Sequence, residues 1–498
     1  MIMNGLMKLM SGWAVSLGFF LMMLVGPVTF GQDIPSSSQK EDVDASTGFG
    51  RSHPANASGI RPGKQSNSRL LAEPDRRLVQ DQVPPFDLEG QYFLGNWGGL
   101  RGQIQEDGVE FQMLGVFDVA SNFTGGYQNG TFGLYLLNIG ASFDTEKLIG
   151  LKGGELFFAF QIADSVGSNG EYVGSYWGFD GIQGDVLQIS ELNYRQEIIE
   201  DVAWVLVGKT DANNIFSNLG PVGNFLNGAA SYTSVLNSYM PSYPNQAFGI
   251  EWGARVLDNT EIRMAWMDGS TAHYNSTTGK VGPATGGGWP TGFFTNSSYY
   301  FDWEIQQEWT FGNGLVGAVT GGAFLQTGEV AFFGVDSITM PGSGPTAVAE
   351  DPFGFYLDLR QVLFDPDGKA SPNGSGHGVS LFGQFGWANP GSNEVLYSVM
   401  GGVECNGIVP GRPHDSFGAL LGFTKFSDNP DIYGTTNIDQ SRVSTGGHEI
   451  DFEIYYQFQL TPWLSIQPDL QIIGSPSGGS PAVLDTAVVG TLRMLMTF

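Results

Sequence analysis

The chain has 498 residues, with 50 acidic against 22 basic side chains and a formal net charge of −28. That balance excludes a nucleic-acid partner, because phosphate backbones are held by Lys and Arg. Charged residues are only 14% and aromatics 13%, with 73 glycines, which disfavours long helices and suits pleated strands joined by tight turns.

Lys8 precedes an apolar run from Leu9 to Val25, broken by Gly26-Pro27 and followed by Thr29-Phe30-Gly31. A charged start, an apolar middle and small residues at the end predict a signal peptide over 1–31, with a single membrane anchor as the alternative. Nothing after residue 31 resembles a second spanning helix, so membrane integration would have to be by strands. Residues 32–91 are rich in Ser, Pro, Asn, Asp and Arg and read as a flexible polar leader.

From Tyr92 the character changes. Gly98 to Glu106 is expected to form a short helix with Leu100 and Ile104 on one side. Alternating segments of roughly ten to fourteen residues follow, the length a tilted membrane strand requires. About sixteen of them run from 110–121 to 485–498, an even number suited to a closed barrel. In the clearest, Ile450, Phe452, Ile454, Tyr456, Phe458 and Leu460 alternate with Asp451, Glu453, Tyr455, Gln457 and Gln459. Mean hydropathy is near zero, but that does not argue for solubility, since such strands average a lipid face with a wet one. The last segment, Val488 to Phe498, keeps the same two-residue period and stops on an aromatic.

The joints alternate in length. Asp258-Asn259, Gly312-Asn313-Gly314 and Thr461-Pro462 are short, whereas 164–184, 211–245, 270–297, 327–352 and 428–446 are long. Short turns at one rim and long loops at the other fit an outer-membrane barrel, although 365–376 and 389–393 break the pattern. The expected fold is therefore an all-β transmembrane antiparallel barrel of about 16 strands, porin type, over 92–498.

The longest joint, 211–245, holds no charged residue after Asp211. It carries seven asparagines, with Phe216, Phe225, Tyr232, Tyr239 and Tyr243. Amides can exchange hydrogen bonds with sugar hydroxyls and aromatic faces match a pyranose, whereas a phosphate-selective pore would use Arg and Lys rings. An ordered surface loop shaped by Gly, Pro and Asn is the alternative. Glu191, Arg195, Glu251, Arg255, Glu261, Arg263, Asp358 and Arg360 fall on the expected lumen face, where opposed charges would orient a passing polyol or simply pair with each other.

Enzymatic signatures are absent from the sequence. Five histidines occur without a second ligand at metal spacing, and no nucleophile elbow or phosphate loop is found. Neither catalysis nor a cofactor is expected. The single cysteine, Cys405, rules out an intramolecular disulfide framework and is expected at a strand end.

Four ordered motifs carry a family resemblance. They are Asn96-Trp97-Gly98-Gly99-Leu100-Arg101, then Gly208-Lys209-Thr210-Asp211-Ala212-Asn213 with Phe225-Leu226-Asn227, then Gly407 to Asp415, and Tyr456 to Gln471. Over 92–498 the chain resembles the carbohydrate-selective porin (OprB) family. The resemblance implies a sixteen-stranded barrel in the outer membrane of a Gram-negative-type bacterium, passing small neutral sugars by facilitated diffusion. It implies solute-binding roles for Lys209, Asp211, Asn213 and Asn227, beside the lumen residues Glu191, Arg195 and Arg360. Arg101, near the barrel base, and Arg412, in a periplasmic turn, are expected to be structural. Outer-membrane lipid is the expected surround, and a homotrimer is the assembly that porins of this size suggest. The chain departs from the family at Gln32–Pro85, which has no counterpart, and at Arg360-Gln361, where the family tends to carry an Asp before Gln. A general or weakly cation-preferring porin, and a plugged-barrel surface adhesion or structural protein, stay open as alternatives.

Overall fold

The computed structural model describes residues 90–498, except 183–185, 221, 270–273, 276–279, 282–289, 296–297, 313, 332–347, 372–375, 428–445 and 479–483. The expected signal peptide, and the leader up to residue 89, lie outside the described residues.

Sixteen antiparallel strands close into one barrel, each bonded to its sequence neighbour and the last to the first. They are β1 (Val109–Thr124), β2 (Gly130–Asp144), β3 (Gly154–Val166), β4 (Val186–Ile199), β5 (Ala203–Thr210), β6 (Ala247–Leu257), β7 (Thr260–Asp268) and β8 (Tyr299–Thr310). The second half holds β9 (Val316–Gln326), β10 (Phe353–Phe364), β11 (Gly378–Ala388), β12 (Val395–Asn406), β13 (Ser416–Phe426), β14 (His448–Thr461), β15 (Leu464–Gly474) and β16 (Ala487–Thr497). Every expected segment lies on one of these strands, with its ends shifted by three residues or fewer. Cys405 stands at the end of β12, and the expected short helix is α1 (Leu100–Glu106).

The wall is inside out relative to a soluble sheet. On β10, Phe353, Phe355, Leu357 and Leu359 are 46–48% exposed, while Tyr356, Asp358 and Arg360 between them are at most 5% exposed. Apolar side chains therefore face outward, where hydrocarbon would cover them, and polar ones are packed inside. The buried interior is the lumen and what fills it.

Closure is reinforced by charge. The β1/β16 register runs from Leu114↔Thr497 to Thr124↔Val488 and places Asp118 opposite Arg493. Arg493 Nε donates to Asp118 Oδ1 at 3.0 Å and its Nη2 donates to Asp118 Oδ2 at 2.7 Å, a bidentate fork across the seam. The same Nη2 donates to Asp180 Oδ1 at 2.9 Å, in the loop after β3. At the barrel base, Arg101 of α1 donates to the carbonyls of Phe111 at 2.9 Å and Phe498 at 3.0 Å, and its guanidinium lies 3.3 Å from the centroid of the Tyr92 ring. These bonds tie the segment before the barrel to both seam strands.

The turn before β13 is held by one carboxylate. Asp415 accepts from Arg412 Nε at 2.7 Å, Tyr456 Oη at 2.9 Å and the Gln459 N–H at 3.0 Å. Burial pushes its pKa up, but the Arg412 guanidinium, the Gln459 N–H and the Tyr456 hydroxyl outweigh that and hold the carboxyl below the usual range. A depressed carboxyl stabilises the fold above its unfolded pKa, about 3.9, and loses that contribution as pH falls through the folded value. Asp415→Asn should therefore unfold at lower denaturant than wild type at pH 7, with the two converging at acid pH. An equal gap at pH 7 and pH 2 would count against the turn's charge being the cause.

Candidate functional site

Loop 211–246 has a compact root. Asp211, fully buried, accepts the Asn213 N–H at 2.9 Å on one oxygen and the Tyr243 N–H at 3.0 Å on the other, so both ends of the loop meet on one carboxylate. Asn213 Nδ2 donates to the carbonyls of Phe216 and Ser231, each at 3.1 Å. Short Asp and Asn side chains capping nearby backbone are the local reason the loop folds on itself.

From that root the loop crosses the lumen and is fastened to the far wall. The Ser217 N–H donates to Glu304 of β8 at 2.6 Å, and the Leu226 and Asn227 N–H groups donate to the two oxygens of Glu453 on β14 at 2.5 and 3.0 Å. Asn227 Nδ2 donates to Asp451 at 3.2 Å and to Gln471 of β15 at 3.1 Å. Asn224 Nδ2 donates to Glu404 of β12 at 3.3 Å, while Arg360 of β10 donates to the Asn218 carbonyl at 3.2 Å. An uncharged loop suits this wall: it supplies N–H donors to buried carboxylates, and such charge-assisted bonds are the strong ones.

Apolar packing seats the same loop. Phe216, Val235, Leu236, Tyr239 and Met240 cluster with the lumen-facing Tyr300, Phe324, Tyr356 and Phe426. A second cluster joins Leu219, Val222, Phe225 and Ala230 to Phe382, Met400, Leu420 and Tyr455. Gly386 of β11 lets the loop lie on the strand, since a Cβ there would stand 2.1 Å from Thr233 Oγ1.

The loop after β3 joins it, and sequence reasoning had not singled that loop out. Its Tyr176 and Trp177 N–H groups donate to Glu449 of β14. The Gly181 N–H donates to the Leu226 carbonyl at 2.9 Å and the Gly228 N–H to the Gly178 carbonyl at 3.1 Å. Two loops thus interlock inside the barrel. The only available sequence signal was the aromatic-glycine run Tyr172-Val173-Gly174-Ser175-Tyr176-Trp177-Gly178-Phe179.

The structure brings four of the seven candidate residues together at the loop root. Glu191 Oε2 accepts from Thr210 Oγ1 at 3.2 Å and from Asn214 Nδ2 at 3.3 Å; Lys209 Nζ lies 3.5 Å from Gln188 Oε1; Asp211 and Asn213 complete the group. Asn227 sits apart, against β14 and β15, and Arg360 sits on β10 under Asn218. Arg195 is half-buried, whereas the other six are buried.

A polar chain links Arg195 to Arg360 along the wall. The Arg195 guanidinium lies 4.8 Å from the Trp204 ring centroid, and Trp204 Nε1 donates to Glu261 at 3.2 Å. Glu261 accepts from Arg263 at 3.0 Å, and Arg263 also donates to Glu304 at 3.1 Å and to Gln306 at 2.7 Å. Arg360 donates to the same Gln306 oxygen at 3.1 Å. Among the described residues no His, Cys, Asp and Glu group is arranged to hold a metal ion.

A family model described as carbohydrate-selective porin, OprB family, matches residues 130–498. The chain is 23% identical over 459 residues to Porin B of Pseudomonas aeruginosa, covering 83% of this chain and 92% of that protein. It is 21% identical over 460 residues to a putative porin, QuiX, of Acinetobacter baylyi, covering 83% and 94% respectively. The high-pH structure of Pseudomonas putida OprB superposes with a TM-score of 0.68 at 20% identity, over 82% of this chain and 99% of that one, a likeness of fold.

Proposed function

The chain belongs to the carbohydrate-selective porin OprB family, and from that premise we propose that it lets neutral carbohydrates and similar polar solutes diffuse into the periplasm. It is an outer-membrane porin, and its relatives are channels rather than enzymes. The observation that carries the sugar reading is the uncharged loop 212–245 lying across the lumen on wall carboxylates. The loop brings no Arg or Lys of its own, the side chains a phosphate-selective pore would use. Arg195, half-buried, is assigned to meet solute. Glu191, Lys209 and Arg360 shape the passage around it, and Asp211, Asn213 and Asn227 hold the loop in place.

Liposome swelling across mono- and disaccharides, with size-matched neutral solutes lacking hydroxyls, tests this. Sugars should enter faster than their size predicts, and rates that follow size alone would end the proposal. Arg195→Gln should weaken sugar block of the single-channel current about tenfold, the scale of one hydrogen bond to a charged group.

A second reading, weak cation preference, rests on the surplus of inward carboxylates such as Glu251, Glu404, Glu449 and Asp451. A potassium-to-chloride reversal potential near zero would remove it.

A further inference from the structure

Trp204 faces the lumen. It pairs with Gly253 of β6, on the parity of buried Glu251, while Trp252 between them is 37% exposed on the outer face. A Cβ at Gly253 would stand 2.6 Å from the indole Nε1 and 2.7 Å from Cε2 and Cζ2. The absent side chain therefore lets the indole lie flat on the wall. Its Nε1–H is pinned to Glu261 at 3.2 Å, and Glu261 is itself gripped by Arg263. With one face on Gly253 and its edge tied to β7, the ring has little freedom. The Arg195 guanidinium rests on it, 4.8 Å from the centroid.

We propose that Trp204 is a positioning residue for Arg195, and that it sets how well the pore distinguishes sugars from other neutral solutes of the same size. The proposal rests on the carbohydrate reading above. Stacking uses the face of a guanidinium, whereas hydrogen bonding uses its plane, so the indole can fix the plane in which Arg195 presents N–H groups to a pair of sugar oxygens. An arginine on a free stem would have to order itself for each solute, and part of the selectivity would be lost in doing so. Glu261 and Gly253 act one step further out, by holding the ring.

The test is the ratio of sugar to size-matched reference swelling rates, with salt conductance and folded-barrel gel migration as controls. Trp204→Leu removes the stacking face, and Gly253→Ala displaces the ring without altering it. Both should lower the ratio about fivefold, the scale of one cation–π contact, at unchanged salt conductance. Trp204→Phe keeps a face and should recover most of it. In an Arg195→Gln background, Trp204→Leu should change nothing further, a coupling that a merely structural tryptophan would not show. An unchanged ratio in both folded variants, or a loss that adds to that of Arg195→Gln, overturns the proposal while leaving the sugar reading intact. A wild-type protein without sugar preference overturns both.

Discussion

Arg493→Ala should cost the barrel about 3–5 kcal/mol, the scale of breaking a buried ion pair from one side. The Arg493 side chain is 3% exposed, and its partners Asp118 and Asp180 are at 0%. Truncation would strand two carboxylates with neither water nor counter-charge. The loss falls where the barrel closes, because Asp118 and Arg493 are register partners on β1 and β16. Denaturant titration of the barrel in detergent, followed by tryptophan fluorescence, gives the free energy. The triple variant Asp118→Leu, Asp180→Asn, Arg493→Met should recover much of it, since replacing all charged partners removes the desolvation cost along with the attraction. A single-variant loss below about 1 kcal/mol would mean that the carboxylates reach solvent, as exposed pairs do.

Glu453→Ala should loosen the constriction rather than the barrel. It deprives the Leu226 and Asn227 N–H groups of their acceptor, at about 1–3 kcal/mol for each buried donor left unsatisfied. The loop keeps its root on Asp211 and its bond to Glu304 but loses an anchor on the far wall. Single-channel conductance should rise and become noisier, disaccharides should enter more readily, and folded-barrel migration should be unchanged. Glu453→Gln, which keeps one acceptor oxygen, should fall between. Unchanged conductance in Glu453→Ala would show that this anchor does not set the passage.

The barrel was legible in the sequence because its signal is local and repeated. Each strand alternates on its own, as β14 does from Ile450 to Leu460, and the inversion of faces follows once the partner is lipid. The path of the loop was not legible. Leu226 and Glu453 stand 227 positions apart and Tyr176 and Glu449 stand 273 apart, and no periodicity announces such pairings. What the sequence did carry was a loop without charges opposite strands rich in carboxylates. The candidate residues divide along the same line. Arg195 and Arg360 were found by strand parity. Asp211, Asn213 and Asn227 were found through a motif, and the structure shows their side chains capping the loop's own turns or gripping the wall.

The fastening of loop 211–246 to β8, β10, β12, β14 and β15 also bears on how such pores can diverge. A filter whose moorings are spread over so many strands is not a cassette. Transplanted alone into a relative, it would arrive with N–H groups aimed at carboxylates the new wall does not hold. New preferences should therefore arise by small exchanges at wall positions outside these moorings, while loop and wall descend together as one heritable unit.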